Sequence, residues 1–344
     1  MKIAILGAGS WGMTLANVLA EKQWPVSLWE FNPEIANQFQ KTRRSSFLPE
    51  FVLNSNVEVT SILSAAIENA KVIVSATPSQ YVRLTMKQVK KTGKLIDTTP
   101  IVSVSKGLEE KTFKRMSEVI QEELGISSSR IAVLAGPNHA EEVSRQIPSA
   151  TLIASPDIHL NKEMQSLFNN QYFRVYTHTD RLGVELGSVL KNVLAIACGI
   201  GDGLGFGDNT RAALLTRGLQ EITLLGVAMG ARMTTFFGLA GMGDLIVTCL
   251  SKHSRNRGFG EKIGLGKSPE QALSEMTMVV EGYKTAPSAY ALVNQFNLRC
   301  PLLRETYSVL YEGKSPQKSL IDLMSRETQD EWQALADMDE KREK

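Results

Sequence analysis

A chain of 344 residues is long for one hydrophobic core, so two domains are the expectation. Its 43% hydrophobic and 22% charged content is that of an ordinary soluble protein, and 38 Lys and Arg against 36 Asp and Glu leave no global field to draw a nucleic acid or an acidic membrane. The three cysteines, Cys198, Cys249 and Cys300, are widely spaced and form no metal-ligand pattern, which fits small core residues in a reducing cytoplasm.

The run Ile3-Ala4-Ile5-Leu6 breaks at Gly7-Ala8-Gly9-Ser10-Trp11-Gly12, and a helical pattern of Met13, Leu15, Ala16, Val18 and Leu19 follows at once. Strand, glycine turn and helix in that order predict a dinucleotide site. Gly7 makes the tight turn, Gly9 lets the backbone approach a pyrophosphate, and Gly12 lets helix and strand pack closely. The pyrophosphate then sits on free N–H groups at the positive end of the helix. A glycine turn alone is a weak signal among 26 glycines, and a purely structural turn is the rival reading. The next strand, Val26 to Trp29, strengthens it by ending in Glu30, 18 residues past Gly12 and close to the spacing of roughly 20 expected of a ribose-binding carboxylate. The apolar run is too short for a signal-peptide core, and no run approaches the roughly 18 apolar residues of a membrane span.

A helix over Pro33 to Gln40, a basic loop from Lys41 to Pro49 and a strand near Val57 to Val59 follow. Lys71 to Ser75 reads as a buried strand whose end, Ala76-Thr77-Pro78, is the kind of loop that meets a ligand in an open α/β sheet. Further strands are predicted at Ile101 to Val104, Ile131 to Leu134, Thr151 to Ala154 and, last, near Phe173 to Tyr176; helices are predicted at Tyr81 to Lys91 and Lys111 to Leu124. This alternation predicts an α/β fold, a doubly wound and mainly parallel sheet. From Val184 to about Trp332 long helical patterns take over. The predicted organisation is a Rossmann-like dinucleotide-binding domain over 1–180, an all-helical substrate and catalytic domain over 181–335, and a charged tail over 336–344, within a charge-dense stretch that starts at Glu327 and reads as a frayed helix or tail.

Polar residues in apolar places mark the candidate chemistry. Lys191 lies in Val189 to Ala197, apolar around the whole helix circumference, and a buried ammonium is costly unless paired. Burial also lowers an ammonium's pKa toward the range useful for acid–base work. Asp244, equally isolated in Leu239 to Val247, is its natural partner, and a structural ion pair is the bland alternative. Ser251 to Gly258 is dense in polar and basic groups: Ser254 or Asn256 could cap a helix near Phe259 to Ile263, while Arg255 offers a planar fork to a phosphate, or merely a solvated face. Lys106-Gly107 and Gly136-Pro137-Asn138-His139-Ala140 follow strands, where ligands bind and where ordinary turns also occur. His139 shows no partner pattern that would make it a base.

Together these residues resemble the bacterial-type NAD(P)-dependent glycerol-3-phosphate dehydrogenases over nearly the whole chain. The resemblance rests on GAGSWG (7–12), VSKGLE (104–109), AGPNHAEEV (135–143), ELGSVLKNVLAIACGI (185–200), GDNTRAALLTRGLQE (207–221), GLAGMGDLIVTC (238–249), SRNRGFG (254–260), VVEGYKTA (279–286) and LYEGKSP (310–316). It implies reduction of dihydroxyacetone phosphate to sn-glycerol 3-phosphate for phospholipid synthesis, with NAD or NADP as cofactor and no metal. Lys191 is implied as proton donor and acceptor, oriented by Asp244. Lys106, Gly136, Asn138, Ser254, Arg255 and Asn256 are implied with these two as the substrate set. Ser10, Trp11, Lys106, Ala140, Arg255, Val279 and Glu281 are implied to meet the cofactor, beside Gly7, Gly9, Gly12, Glu30 and the adjacent Phe31.

Two departures from the family pattern matter. Asn138-His139 stand where Ser or Thr followed by Phe is common after Gly-Pro, and Phe31 stands where relatives often carry a basic residue that faces an adenosine 2′-phosphate. The rival functions are a 3-hydroxyacid dehydrogenase of similar build and a non-catalytic NAD-sensing module, the latter leaving Lys191 and Asp244 unexplained. The expected partners are a small phosphorylated substrate and a second copy in a homodimer, with no nucleic acid and no stable membrane insertion.

Overall fold

The computed structural model describes residues 1–276, 278–328, 330–333 and 335; the charged tail expected at 336–344 lies outside them. The first elements alternate as β1 (Lys2–Leu6), α1 (Ser10–Ala20), β2 (Val26–Trp29), α2 (Pro33–Thr42), β3 (Val57–Thr60), α3 (Leu63–Ile67), β4 (Ala70–Ser75), α4 (Ser79–Lys91), β5 (Ile101–Ser103), α5 (Met116–Leu124), β6 (Ile131–Ala135), α6 (Ala140–Val143), β7 (Ser149–Ala154), α7 (Ile158–Phe168) and β8 (Phe173–His178). The eight strands form one sheet in the order β3-β2-β1-β4-β5-β6-β7-β8, parallel at every pairing except the antiparallel β6–β7. β1 is apolar from Ile3 to Leu6 because both of its faces are buried there. Ile3 and Ile5 join a core with residues of α1 and α7, and Ala4 and Leu6 join a second core with residues of α4 and α5. The order reverses between β1 and β4, which makes the carboxyl ends of those two strands the switch point where such sheets bind ligands.

The chain separates into two compact units, Met1–Glu109 with Lys114–Arg181, and Glu110–Phe113 with the chain from Leu182 onward. The second is helical: α8 (Arg181–Gly203), α9 (Asp208–Ala228), α10 (Met233–Phe236), a π turn at Leu239–Gly243, α11 (Asp244–Leu250), α12 (Arg255–Gly264), α13 (Pro269–Ser274), α14 (Glu281–Gln295), α15 (Pro301–Tyr311) and α16 (Pro316–Met324).

Several boundaries differ from the sequence expectation. The helix expected from Lys111 starts only at Met116. A Leu108–Arg115 bridge closes residues 108–115 into a hairpin-like loop, and Glu118 caps the helix by accepting from the Arg115 N–H at 2.9 Å. The helix expected at Phe259 begins at Arg255, because the Ser254 hydroxyl accepts from the Arg257 N–H. α16 ends at Met324, Gln333 and Leu335 are again helical, and α3, α6 and α7 carry too few or too mixed apolar positions to stand out. Arg181–Gly203 and Met233–Leu250 are long and apolar enough by composition to cross a membrane, although polar residues interrupt the apolar run in each, which hides them from the sequence expectation. In the first, 94% of the most apolar window is buried, as in a core helix, and the π turn interrupts the second.

Glu221 of α9 shows how tightly the helical unit is tied. Its carboxylate is buried and accepts from Leu302 N at 2.8 Å and Leu303 N at 3.0 Å, two of the otherwise unpaired N–H groups in the first turn of α15. Burial pushes its pKa up to about 7, against the pull of those N–H groups. The folded value is raised above that of an unfolded glutamate, so the fold holds a proton that the unfolded chain releases. This contribution is fully present below about pH 4.5 and is lost as the pH rises to about 7, to the extent of about 3 kcal/mol. Chemical denaturation should therefore show stability declining between pH 5 and pH 7, and Glu221→Gln should flatten that decline; a slope identical in the two proteins refutes this account.

Candidate active site

The candidate nucleotide end lies at the turn from β1 to α1. Gly7 has φ +117°, and a Cβ there would sit 2.8 Å from the Ala76 carbonyl, so the turns after β1 and β4 press together at the switch point. A Cβ on Gly12 would meet the Gly7 carbonyl at 2.0 Å, whereas one on Gly9 would meet nothing within 4 Å. No side chain caps the α1 N-terminus. An open space in front of an uncapped helix N-terminus fits a dinucleotide pyrophosphate. Trp11 turns its ring edge-on to Phe173 at 6.1 Å, so at least that side of it is packing. Glu30 is buried at the end of β2, accepts from the Asn32 N–H at 3.0 Å, and has its pKa raised by that burial, while Phe31 is 73% exposed.

In the same unit the loop after β5 carries Lys106, whose Nζ donates to the Gly136 carbonyl at 3.3 Å at the end of β6. The Asn138 amide is turned into the sheet. One of its atoms lies 2.7 Å from Thr151 Oγ1, and its NH2, in the orientation that satisfies both ends, donates to the Pro137 and Ala150 carbonyls at 3.2 Å. Ala140 opens α6 and is buried.

The second set lies in the helical unit. Lys191, 4% exposed on α8, donates to the Asp244 carboxylate and to the Thr248 hydroxyl, both buried on α11, so the structure pairs Lys191 with Asp244 as the sequence predicts. Asp244 opens α11 directly after the π turn, and Thr248 lies one helical turn on, donating to the Asp244 carbonyl at 2.6 Å. α8 and α12 touch backbone to backbone: a Cβ on Gly199 would lie 2.0 Å from Arg257 O, and one on Gly260 2.1 Å from Ile196 O. That contact brings Asn192 beside Asn256, whose Nδ2 donates to Asn192 Oδ1 at 3.0 Å while its Oδ1 accepts from Gly282 N at 2.8 Å. Asn256 is therefore a tie between three helices, and Ser254 alone is the cap. Arg255 is exposed and donates one bond, to the Val279 carbonyl at 3.1 Å, which joins it to the turn that leads to Glu281 at the start of α14.

Family models cover both units: NAD-dependent glycerol-3-phosphate dehydrogenase N-terminus matches residues 2–161, and the C-terminus of the same family matches residues 180–321. The chain belongs to the NAD-dependent glycerol-3-phosphate dehydrogenase family. It is 46% identical over 333 residues to a glycerol-3-phosphate dehydrogenase [NAD(P)+] of Prosthecochloris aestuarii, covering 96% of this chain and 100% of that one, and 43% identical over 335 residues to one of Fusobacterium nucleatum, covering 97% and 99%. The crystal structure of glycerol-3-phosphate dehydrogenase from Coxiella burnetii superposes with a TM-score of 0.89 at 36% identity, covering 94% of this chain and 99% of that one. The expected fold, family and dependence on NAD(P) stand on these matches. Two polar groups of this glycerol-3-phosphate dehydrogenase family member escaped the sequence reading. Thr248 had a signal, four residues after Asp244 and so on the same helix face, and Asn192 had the same one as Lys191, a polar side chain in an apolar helix.

Proposed function

We propose that the chain reduces dihydroxyacetone phosphate reversibly to sn-glycerol 3-phosphate, supplying a phospholipid precursor in the cytoplasm. The observation that carries this reading is the buried Lys191, Asp244 and Thr248 constellation, an ammonium held by an acceptor pair in an apolar helix bundle. The reduced nicotinamide, when bound, supplies the hydride that adds to the ketone carbon. Lys191 stabilises the oxygen as negative charge develops there and gives it a proton; in the reverse direction it takes one. Asp244 and Thr248 hold the ammonium in one place, so little rearrangement is needed at the moment of transfer. Lys106, Gly136, Asn138, Ser254, Arg255 and Asn256 are the proposed substrate ligands. For Asn138 and Asn256, whose amides are bonded within the protein, that role requires the main chain or a rotated amide. Gly7, Gly9, Ser10, Trp11, Gly12, Glu30, Phe31, Lys106, Ala140, Arg255, Val279 and Glu281 are the proposed cofactor set. Loss of NADH absorbance that depends on dihydroxyacetone phosphate, and fails with unphosphorylated 3-oxoacids, is the deciding assay; the converse result favours the hydroxyacid dehydrogenase.

NADH should serve at least as well as NADPH. Glu30 is suited to accept from ribose hydroxyls and to repel a 2′-phosphate, and no cation stands at Phe31. The nearest arginines in sequence are already engaged, Arg43 with the Val57 carbonyl at 2.5 Å and Arg44 with the Pro49 carbonyl at 3.4 Å. A kcat/KM clearly higher for NADPH overturns this preference. A homodimer is the proposed assembly, supported by Ile321 and Met324, 58% and 78% exposed on α16, and light scattering on the purified protein tests it.

A further inference from the structure

We propose that Arg83, which lies outside the substrate and cofactor sets, is a positioning residue that fixes the Lys106 loop by gripping Glu109. The inference rests on the reading of Lys106 as a substrate ligand. Glu109 stands three residues beyond Lys106 in the loop from β5 to α5, and Arg83 of α4 meets it as a two-pronged fork, Nε to Oε1 at 2.6 Å and Nη2 to Oε2 at 2.8 Å. The same guanidinium bonds Glu122 at 3.1 Å and Glu123, both on α5. The base of the loop is closed by the Leu108–Arg115 bridge and by Glu109 N donating to Lys114 O at 2.9 Å, and the Glu109 side chain ties this closed loop to α4. Glu109 is also the strongest of the influences that raise the Arg83 pKa.

One guanidinium thus holds three carboxylates, aided by Lys114 at 2.7 Å from Glu122 and, more distantly, Lys87 at 4.0 Å from Glu123. Only arginine presents enough donors in one plane for this; a lysine supplies the charge without the fork. Without Arg83 the three carboxylates repel one another. Glu122 and Glu123 are fixed in a helix, so Glu109 gives way and carries the loop with it, and Lys106 leaves its register beside Gly136.

Arg83→Gln should raise KM for dihydroxyacetone phosphate by about 10-fold and change kcat by less than about 3-fold, since a ligand is displaced and the proton-transfer group is untouched. Arg83→Lys, which keeps the charge and the fold, should fall between. Removing the repelled partner as well, in Arg83→Gln with Glu109→Gln, should restore part of the lost KM, the non-additivity expected of coupled residues. In a Lys106→Ala background Arg83→Gln should change KM by less than about 2-fold, because the group it positions is gone. A lowered Tm with KM unaltered in Arg83→Gln and Arg83→Lys makes Arg83 a merely structural residue and overturns the proposal, as does an equal KM effect with and without Lys106. If Lys106→Ala alone leaves KM unaltered, the reading of Lys106 as a ligand fails first and the proposal with it.

Discussion

Lys191→Met should lower kcat by about 10²- to 10⁴-fold, the share of a positioned acid–base group, which corresponds to roughly 3 to 5 kcal/mol of barrier. Methionine keeps the length and apolar character of the lysine stem, so α8 should still pack against its neighbours. It leaves the Asp244 carboxylate, 1% exposed, without its ammonium, and breaking a buried pair by removing one partner costs about 3 to 5 kcal/mol. Loss of activity must therefore be separated from loss of fold. NADH binding, proposed for the β1–α1 turn, should survive in the folded variant. The measurement is paired, NADH affinity by fluorescence and kcat by absorbance on one preparation whose Tm is known. Asp244→Asn with Lys191→Met removes both charges, so it should regain stability while staying inactive. Normal turnover by Lys191→Met would falsify the catalytic assignment, and recovery of activity along with stability in the double variant would make the pair structural.

What could be read in the sequence follows from how local each signal is. The glycine turn and the buried strands are legible because their causes lie within a dozen residues: β1 is apolar from Ile3 to Leu6 because both of its faces are covered there, and Gly7 is glycine because its φ is +117°. Lys191 and Asp244 are legible for the opposite reason, as charges where the pattern forbids them. Their pairing across 53 residues could be guessed because each needed a partner of opposite charge. Asn256 was read as a possible cap because asparagine favours that position, but its amide is captured by Asn192 and Gly282, contacts that sequence spacing does not express. The same is true of the loop from 108 to 115, where charged residues of good helix propensity are held out of helix by the Leu108–Arg115 bridge. Arg83 carried no signal at all, since its three carboxylates are 26, 39 and 40 residues away.

Arg255→Ala should harm the use of dihydroxyacetone phosphate far more than that of unphosphorylated dihydroxyacetone. The guanidinium has five N–H donors, and one is on the Val279 carbonyl at 3.1 Å, so the side chain is oriented while the others remain for a phosphate. Because Arg255 is exposed, the contact is worth the ordinary amount for a hydrogen bond to a charged group, about 1.5 to 3 kcal/mol, and the expected loss in kcat/KM is about 10- to 150-fold. Arg255→Lys should recover only part of it, since a point charge attracts the dianion without matching two of its oxygens. The position at the first turn of α12 also matters: the free N–H groups there favour an anion whether or not the arginine is present, so some selectivity for the phosphorylated substrate should persist in Arg255→Ala. Salt separates the two contributions, because raising the ionic strength should shrink the difference between parent and variant on the phosphorylated substrate and leave the unphosphorylated one unaffected. Equal losses on both substrates would assign Arg255 to the cofactor or to the Val279 turn alone.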